Sequence, residues 1–95
     1  MHVISKKKLR EFWSRYPTSE APLRAWHKTA TTADWKTFDD VRRTFRTVDR
    51  YRQFLIFNIG GNKFRLIVVA HFDRGRIYVR HVLTHSEYDL GKWKK

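Results

Sequence analysis

The residues best suited to chemistry lie in the C-terminal half of the chain. Arg65 stands inside the apolar run Phe64-Arg65-Leu66, where a cation needs a partner or a function. A polar cluster follows from His81 to Asp89 and includes His85 and Tyr88, with Lys92 just beyond it. Histidine, tyrosine and lysine exchange protons, and arginine binds phosphate oxygens, so this set favours acid–base chemistry on a phosphate. The chain has no cysteine, so we expect no disulfide and no soft-metal site. We also expect no cofactor.

The elements that must position these residues are three apolar runs between Tyr51 and Asp89. Gly60-Gly61 and Asp73-Arg74-Gly75 separate the runs, and both are turn signals. The pattern predicts an antiparallel meander with a two-residue loop at the glycine pair. The second loop is predicted to have three residues, with Gly75 in the left-handed conformation. Both faces of the runs are apolar, so we expect helices over one face and a partly enclosed groove on the other.

Alternation along the second run assigns its side chains to two faces. One face receives Phe64, Leu66, Val68 and Ala70, and the other receives Lys63, Arg65, Ile67, Val69 and His71. Arg65 is therefore predicted to point into the groove. After the third run, Thr84 and Glu87 have the spacing of a capping box, which predicts a short helix that holds His85, Tyr88 and Asp89 at the mouth of the sheet.

The apolar pattern of the N-terminal part predicts an edge strand at residues 1–4 and then a helical hairpin. Apolar residues recur at i, i+3, i+4 and i+7, behind Ser5 and Ser19 as caps. The two stripes are Leu9, Phe12, Trp13 and Tyr16, then Leu23, Trp26, His27 and Ala30. Pro17 should end the first helix. Lys6, Lys7 and Lys8 oppose the helix dipole and are expected to be solvated.

The segments outside the hairpin and the meander are predicted to be short or irregular. Residues 30–36 are expected to be irregular, with Trp35 as a core anchor. Thr37 is expected to cap a short helix that holds Phe38, Val41 and Phe45. Residues 91–95 should form a frayed basic tail.

Charge is the strongest bulk signal in the chain. Lysine and arginine total 21 against 9 acidic residues, which gives a net charge of +12 and an isoelectric point near 10.6. Such a balance is typical of a nucleic-acid binder, and the alternatives are an acidic protein partner or an ordinary solvated surface. The predicted RNA contacts are Arg42, Arg43, Arg46 and Arg50, interleaved with aromatic residues, together with Lys63. No membrane span or signal peptide is recognisable, so a cytoplasmic location is expected.

Two motifs, residues 57–66 and 78–89, resemble the HigB family of bacterial toxins within the RelE-like group. The resemblance covers nearly the whole chain and implies one α+β domain over residues 1–95, with an N-terminal helical hairpin packed on an antiparallel sheet. It implies a type II toxin that cleaves mRNA at the ribosome without a metal, and a HigA-type helix-turn-helix antitoxin as partner.

The resemblance also assigns roles to individual residues. Arg65 matches a catalytic arginine, and Tyr88, His85 and Lys92 lie in the segment that supplies the proton-transfer residues. Arg80 corresponds to a second arginine that binds phosphate. Two other functions remain open, a non-catalytic RNA- or ribosome-binding module and a gyrase-directed toxin.

Overall fold

The computed structural model describes residues 1–95 and shows a five-stranded sheet with helices, which confirms the predicted α+β class. The elements in chain order are β1 His2–Ile4, α1 Lys6–Arg15, α2 Glu20–Thr32, α3 Phe38–Thr44, β2 Asp49–Tyr51, β3 Phe54–Ile59, β4 Phe64–His71, β5 Arg76–Thr84 and α4 His85–Asp89. Short 3₁₀ turns lie at Pro17–Ser19, Phe72–Arg74 and Lys92–Lys94. None of the helices combines the length and apolar character needed to cross a bilayer.

The sheet order is β1-β5-β4-β3-β2, and the β3-β4-β5 meander is confirmed. The other pairings are antiparallel as predicted, but the sheet is mixed, because β1 pairs in parallel with the first residues of β5. Strand β2 was not predicted, since Asp49-Arg50-Tyr51 is short and mostly polar. It pairs with β3 and forms the opposite edge of the sheet.

Both loops of the meander are longer than predicted. Ile59 pairs with Phe64, so the first loop has four residues, 60–63, rather than two. Lys63 therefore lies in the loop and not on a strand face. Gly60 and Gly61 have φ of 63° and 70°, which explains why glycine occupies both positions. His71 pairs with Arg76, so the second loop is residues 72–75 rather than three residues, and Gly75 is left-handed as predicted.

A β-bulge interrupts the pairing of β4 with β5. Ile67 pairs with His81 and Val68 pairs with Val79, so Arg80 is the extra residue. Its side chain is exposed, beside the half-buried His81. A bulge changes the direction of the side chains around it, and here it lies next to the polar cluster.

The main core lies between the helices and one face of the sheet. Both predicted apolar stripes are confirmed there, and Trp26 packs edge-on against Phe57 with 5.4 Å between ring centroids. Phe64, Leu66, Val68 and Ala70 face this core, as alternation predicted.

Three local predictions for the helices were wrong. Ser5 and Ser19 precede α1 and α2, but neither side chain makes a capping hydrogen bond. The Ser19 hydroxyl instead donates to the Tyr16 carbonyl at 2.7 Å. Helix α2 continues to Thr32, so residues 30–36 are not irregular throughout. Thr37 does cap α3, and Trp35 is buried as predicted.

The second face of the sheet has its own smaller core of Phe54, Ile56, Ile67 and Trp93. The predicted frayed tail was wrong, because Trp93 is only 4% exposed. Its indole Nε1 donates to the Tyr88 carbonyl at 3.0 Å. The C-terminal segment thereby covers part of the groove that the sheet would otherwise leave open.

Candidate active site

Helix α4 is held directly against the loop between β3 and β4. The capping box of Thr84 and Glu87 is complete, with hydrogen bonds of 3.2 and 2.9 Å between each side chain and the other residue's backbone N–H. The next backbone N–H, that of His85, donates to the Lys63 carbonyl at 3.0 Å. The structure therefore brings the predicted residues of β4 and α4 together, as the meander and the capping box implied.

Arg65 is a buried cation with no carboxylate partner. Its side chain is on the second face, and the residue is 8% exposed. Nη1 donates to the backbone carbonyls of Asn62 and Phe64, each at 3.1 Å. Nη2 donates to Oδ1 of Asn62 at 3.5 Å, and Nε makes no hydrogen bond within the protein. A buried guanidinium without a carboxylate partner favours an anion beside it.

Tyr88 lies between Arg65 and Trp93. The Arg65 guanidinium carbon is 5.2 Å from the centre of the Tyr88 ring, a cation–π contact. On the other side the Trp93 ring stacks on Tyr88 at 5.3 Å with 9° between the ring planes. The phenol group makes no hydrogen bond within the protein. Arg65 and Trp93 thus fix the position of the Tyr88 ring and leave its hydroxyl free for another partner.

His85 is the first residue of α4 and is exposed. Its Nδ1 lies 2.9 Å from Oδ2 of Asp89, one helical turn later. When the neutral imidazole donates from Nδ1 to this carboxylate, its Nε2 carries a free lone pair. The pair has the arrangement of a histidine base oriented by a carboxylate. The sequence predicted Asp89 at this mouth, and the structure places its carboxylate at the His85 ring.

A cleft of about 280 Å³ opens beside α4, between the end of β5 and the C-terminal turn. We call it the C-terminal cleft, and its lining is His81, Leu83, Glu87, Leu90, Lys92 and Trp93. Lys92 is exposed and lines this cleft, whereas the other predicted catalytic residues, Arg65, His85 and Tyr88, are not among its lining residues.

His81 begins the polar cluster, but the sequence analysis assigns it no catalytic or binding role. Burial, together with the charges of Lys8 and Arg80, lowers the pKa of His81 below its ordinary value. The neutral imidazole therefore predominates there at neutral pH. The signal that could have identified it is its position after a β-bulge, which depends on strand register and was not visible in the sequence.

The arginine patch is not part of this region. Arg42 and Arg50 both lie over the Phe38 ring, at 5.7 and 5.2 Å, on the side of the sheet that the helices cover. Arg42 and Arg43 are also paired with Asp39 and Asp40 at 3.1 and 3.3 Å. The structure thus separates the patch from Arg65, while Lys63 lies beside α4 and Arg80 lies at the bulge.

The arrangement of these residues does not form a metal-binding site. No three His, Asp or Glu side chains are close enough together to hold a metal ion.

Comparison with known proteins gives a consistent result. Residues 19–91 match the model of the HigB toxin family, described as a RelE-like toxic component of a toxin–antitoxin system. The chain is 30% identical over 93 residues to the "mRNA interferase toxin HigB" of Escherichia coli K12, and the match covers 95% of this chain and 89% of the relative. The "mRNA interferase HigB" of Shigella flexneri matches equally well, and that of Escherichia coli O6:H1 is 29% identical over 92 residues.

The family match spans most of the chain, including the loop, β4, β5 and α4 that build the site. The chain therefore belongs to the HigB toxin family, the RelE-like toxic components of toxin–antitoxin systems.

Proposed function

We propose that this protein is a toxin that cleaves mRNA on translating ribosomes in the cytoplasm. The observation that carries the proposal is the contact of the buried Arg65 with Tyr88 on α4, the helix that also carries His85 with the Asp89 carboxylate at its Nδ1. The naming of its relatives as mRNA interferases supports the substrate. The high positive charge supports binding to a polyanion.

The proposed reaction uses the substrate's own 2′-hydroxyl as nucleophile. Its oxygen attacks the adjacent phosphorus and loses its proton to a base, while the bond from phosphorus to the 5′ oxygen breaks. The leaving oxygen takes a proton, so the products are a 2′,3′-cyclic phosphate and a 5′-hydroxyl. Catalysis then needs one proton acceptor, one proton donor and positive charge at the phosphorane.

The residues of the site match these requirements. His85 is the proposed proton acceptor, because Asp89 holds Nδ1 and leaves Nε2 facing away from the carboxylate. Tyr88 and Lys92 are the two candidates for the proton donor. Arg65 supplies positive charge from a buried position, where its effect on a transition state is less screened by water than that of a surface residue.

The proposed partner is a HigA-type antitoxin with a helix-turn-helix domain. Membership of a toxin–antitoxin family implies an antitoxin, and the net charge of +12 favours a partner with an acidic segment that binds fast. Co-expression of the neighbouring reading frame should restore growth. The complex should also withstand salt that removes RNA from the free toxin.

The central experiment incubates purified protein with translating ribosomes on a defined mRNA and maps the new 5′ ends. His85→Gln should lower the cleavage rate by about 100-fold, the usual scale for loss of a general acid or base. Its matched control is His2→Gln, since His2 is also an exposed histidine but lies on β1. Co-sedimentation with ribosomes should be nearly unchanged for both variants.

Three results would oppose the proposal. An mRNA with a 2′-deoxy nucleotide at the cut site should survive, and its cleavage at a normal rate would exclude the 2′-hydroxyl mechanism. Equal cleavage rates for the wild type and His85→Gln would show that His85 is not the proton acceptor. Tyr88 and Lys92 would then be the remaining candidates for proton transfer. Ribosome binding without any new 5′ end would favour the non-catalytic module, and relaxation assays on supercoiled plasmid test the gyrase-directed alternative.

A further inference from the structure

A second groove lies on the other side of β5, between this strand and α1. We call it the α1–β5 groove, and its volume is about 250 Å³. Its lining is Lys8, Glu11, Phe12, Arg15, Arg80, His81, Val82 and Leu83. Lys8, Arg15 and Arg80 are exposed cations, and Glu11 is the single acidic side chain among the lining residues. Like charges gathered from two elements separated in sequence need an anion or solvent to screen them.

This groove adjoins the C-terminal cleft. His81 and Leu83 line both, so the two lie on either side of the end of β5. A ligand that occupies both must pass the end of β5 at these two residues. The bulge at Arg80 lies at this junction and accounts for the exposure of its side chain next to that of His81.

The edge of β5 in the groove is open, but it is poorly suited to receive another strand. Strand β1 pairs only with residues 76–78, so residues 80–83 form an uncovered edge of the sheet. Two features oppose strand addition there, the bulge and the Lys8 ammonium, which donates to the Arg80 carbonyl at 3.1 Å. Bulges and lysines are common means of protecting a sheet edge from a further strand.

The charge pattern favours a phosphate chain over a protein strand. RNA backbone needs separated cations along a groove and no backbone pairing, and the open edge with Lys8, Arg15 and Arg80 meets that need. Burial first, and then the charges of Lys8 and Arg80, lower the pKa of His81, so two of the three groove cations also act on the histidine at the junction.

We propose that the α1–β5 groove binds the phosphate backbone of the single-stranded RNA that flanks the cleavage site, through Lys8, Arg15 and Arg80. The proposal rests on the proposed function, since it takes the RNA in the C-terminal cleft as the substrate. It goes beyond that function by assigning the path of the strand away from the reacting phosphate. It also gives Lys8 a role other than the solvated lysine that its sequence position suggested.

The test compares two double variants of α1. Lys8→Gln/Arg15→Gln removes two cations of the groove, whereas Lys7→Gln/Arg10→Gln removes one exposed lysine and one exposed arginine of the same helix that do not line it. Binding to an RNA with a 2′-deoxy nucleotide at the cut site is measured by fluorescence anisotropy across a salt series. Denaturing gels run on the same samples show whether the probe stays intact, so binding is measured separately from cleavage.

The groove variant should lower the slope of log affinity against log salt by about 1.4, because each lost contact with single-stranded RNA removes about 0.7. The control variant should change the slope by clearly less. Arg80→Gln is the single variant that reports on the strand side and should lower the slope by about 0.7. Circular dichroism confirms that all variants are folded.

Two outcomes would overturn the proposal. Equal slopes for the groove and control variants would show that the loss reflects net charge alone. A groove variant with unchanged RNA binding but weakened antitoxin binding would assign the groove to the protein partner instead. A different outcome separates the two proposals. If the groove variant lowers the slope more than the control variant does, but the wild-type protein cleaves no mRNA, the groove remains an RNA-binding site and only the proposed catalytic function is refuted.

Discussion

Replacing Trp93 with alanine should show that the C-terminal segment is part of the site. The indole contacts Tyr51, Phe54 and Tyr88 with centroid distances of 5.5, 5.9 and 5.3 Å, and Nε1 donates to the Tyr88 carbonyl. Three aromatic contacts contribute about 0.5–1.5 kcal/mol each. The hydrogen bond adds about 1 kcal/mol. Together these contributions come to about 2.5–5.5 kcal/mol. This range includes the loss of about 3–5 kcal/mol that is usual when a buried tryptophan is replaced by alanine.

The position of Trp93 near the chain end decides how this loss is expressed. The segment can detach without unfolding the sheet, so the global free energy of unfolding should fall by less than the local loss. Detachment would free the Tyr88 ring from one side and open the smaller core to water. We therefore expect urea denaturation followed by circular dichroism to show a modest shift, and the mRNA cleavage rate to fall by about tenfold or more.

Trp35 supplies a matched control on the other face of the sheet. It is also 4% exposed, and its Nε1 also donates one hydrogen bond, to Thr44 Oγ1 at 3.1 Å. Trp35→Ala should destabilise the fold at least as much, yet leave cleavage near normal under conditions where the protein is folded. Two results would refute the positioning role of Trp93. One is the same loss of cleavage in both variants for the same loss in the free energy of unfolding. The other is full cleavage activity in Trp93→Ala.

Three further predictions concern titratable groups. Asp89→Asn should lower the cleavage rate by about tenfold or more and alter its pH profile, because the amide no longer fixes the His85 tautomer. An unchanged pH profile would show that Asp89 does not act through His85. Arg65→Lys should cleave mRNA as slowly as Arg65→Ala, since a single ammonium cannot reproduce the donors of a guanidinium. The measurement is the single-turnover cleavage rate on ribosomes, and a wild-type rate for Arg65→Lys would contradict the prediction. Burial first, and then nearby cations, lower the pKa of His27 and His81 below 6.5, so the unfolded chain binds the protons that the native chain resists. The free energy of unfolding should thus decline as the pH falls below 6.5, and the double variant with glutamine at both positions should flatten this decline.

The parts of the fold that were predictable are those with local causes. The apolar stripes of α1 and α2 follow from helical spacing, and the Thr84 box follows from two side chains that bond to neighbouring backbone groups. Arg65 was placed on the groove face by simple alternation, which holds because no bulge lies between it and the start of β4. These features need no knowledge of distant contacts.

The parts that were missed depend on contacts between distant residues. The bulge at Arg80 exists only in the pairing of β4 with β5, so the position of His81 at the junction could not be deduced from β5 alone. Trp93 lies among basic residues, a composition that predicts a mobile tail, but its docking on Phe54 overrides that tendency. Tertiary packing likewise extended α2 beyond the expected end at Ala30, where the residue is fully buried.

Arg65 shows how the cost of a residue can indicate its purpose. A guanidinium in this position adds a desolvation penalty, and two backbone carbonyls and a tyrosine ring offset only part of it. An apolar side chain would suit the surrounding face of Ile67 and Leu83 better if stability alone mattered. The charge is instead retained where β4, the loop and α4 meet, and Arg65 forms no salt bridge with a carboxylate. A local rule is broken here with no gain in packing, and such breaks are expected where a protein binds or transforms a ligand. An anion, and in the proposed reaction the phosphorane, is the partner that completes this arrangement.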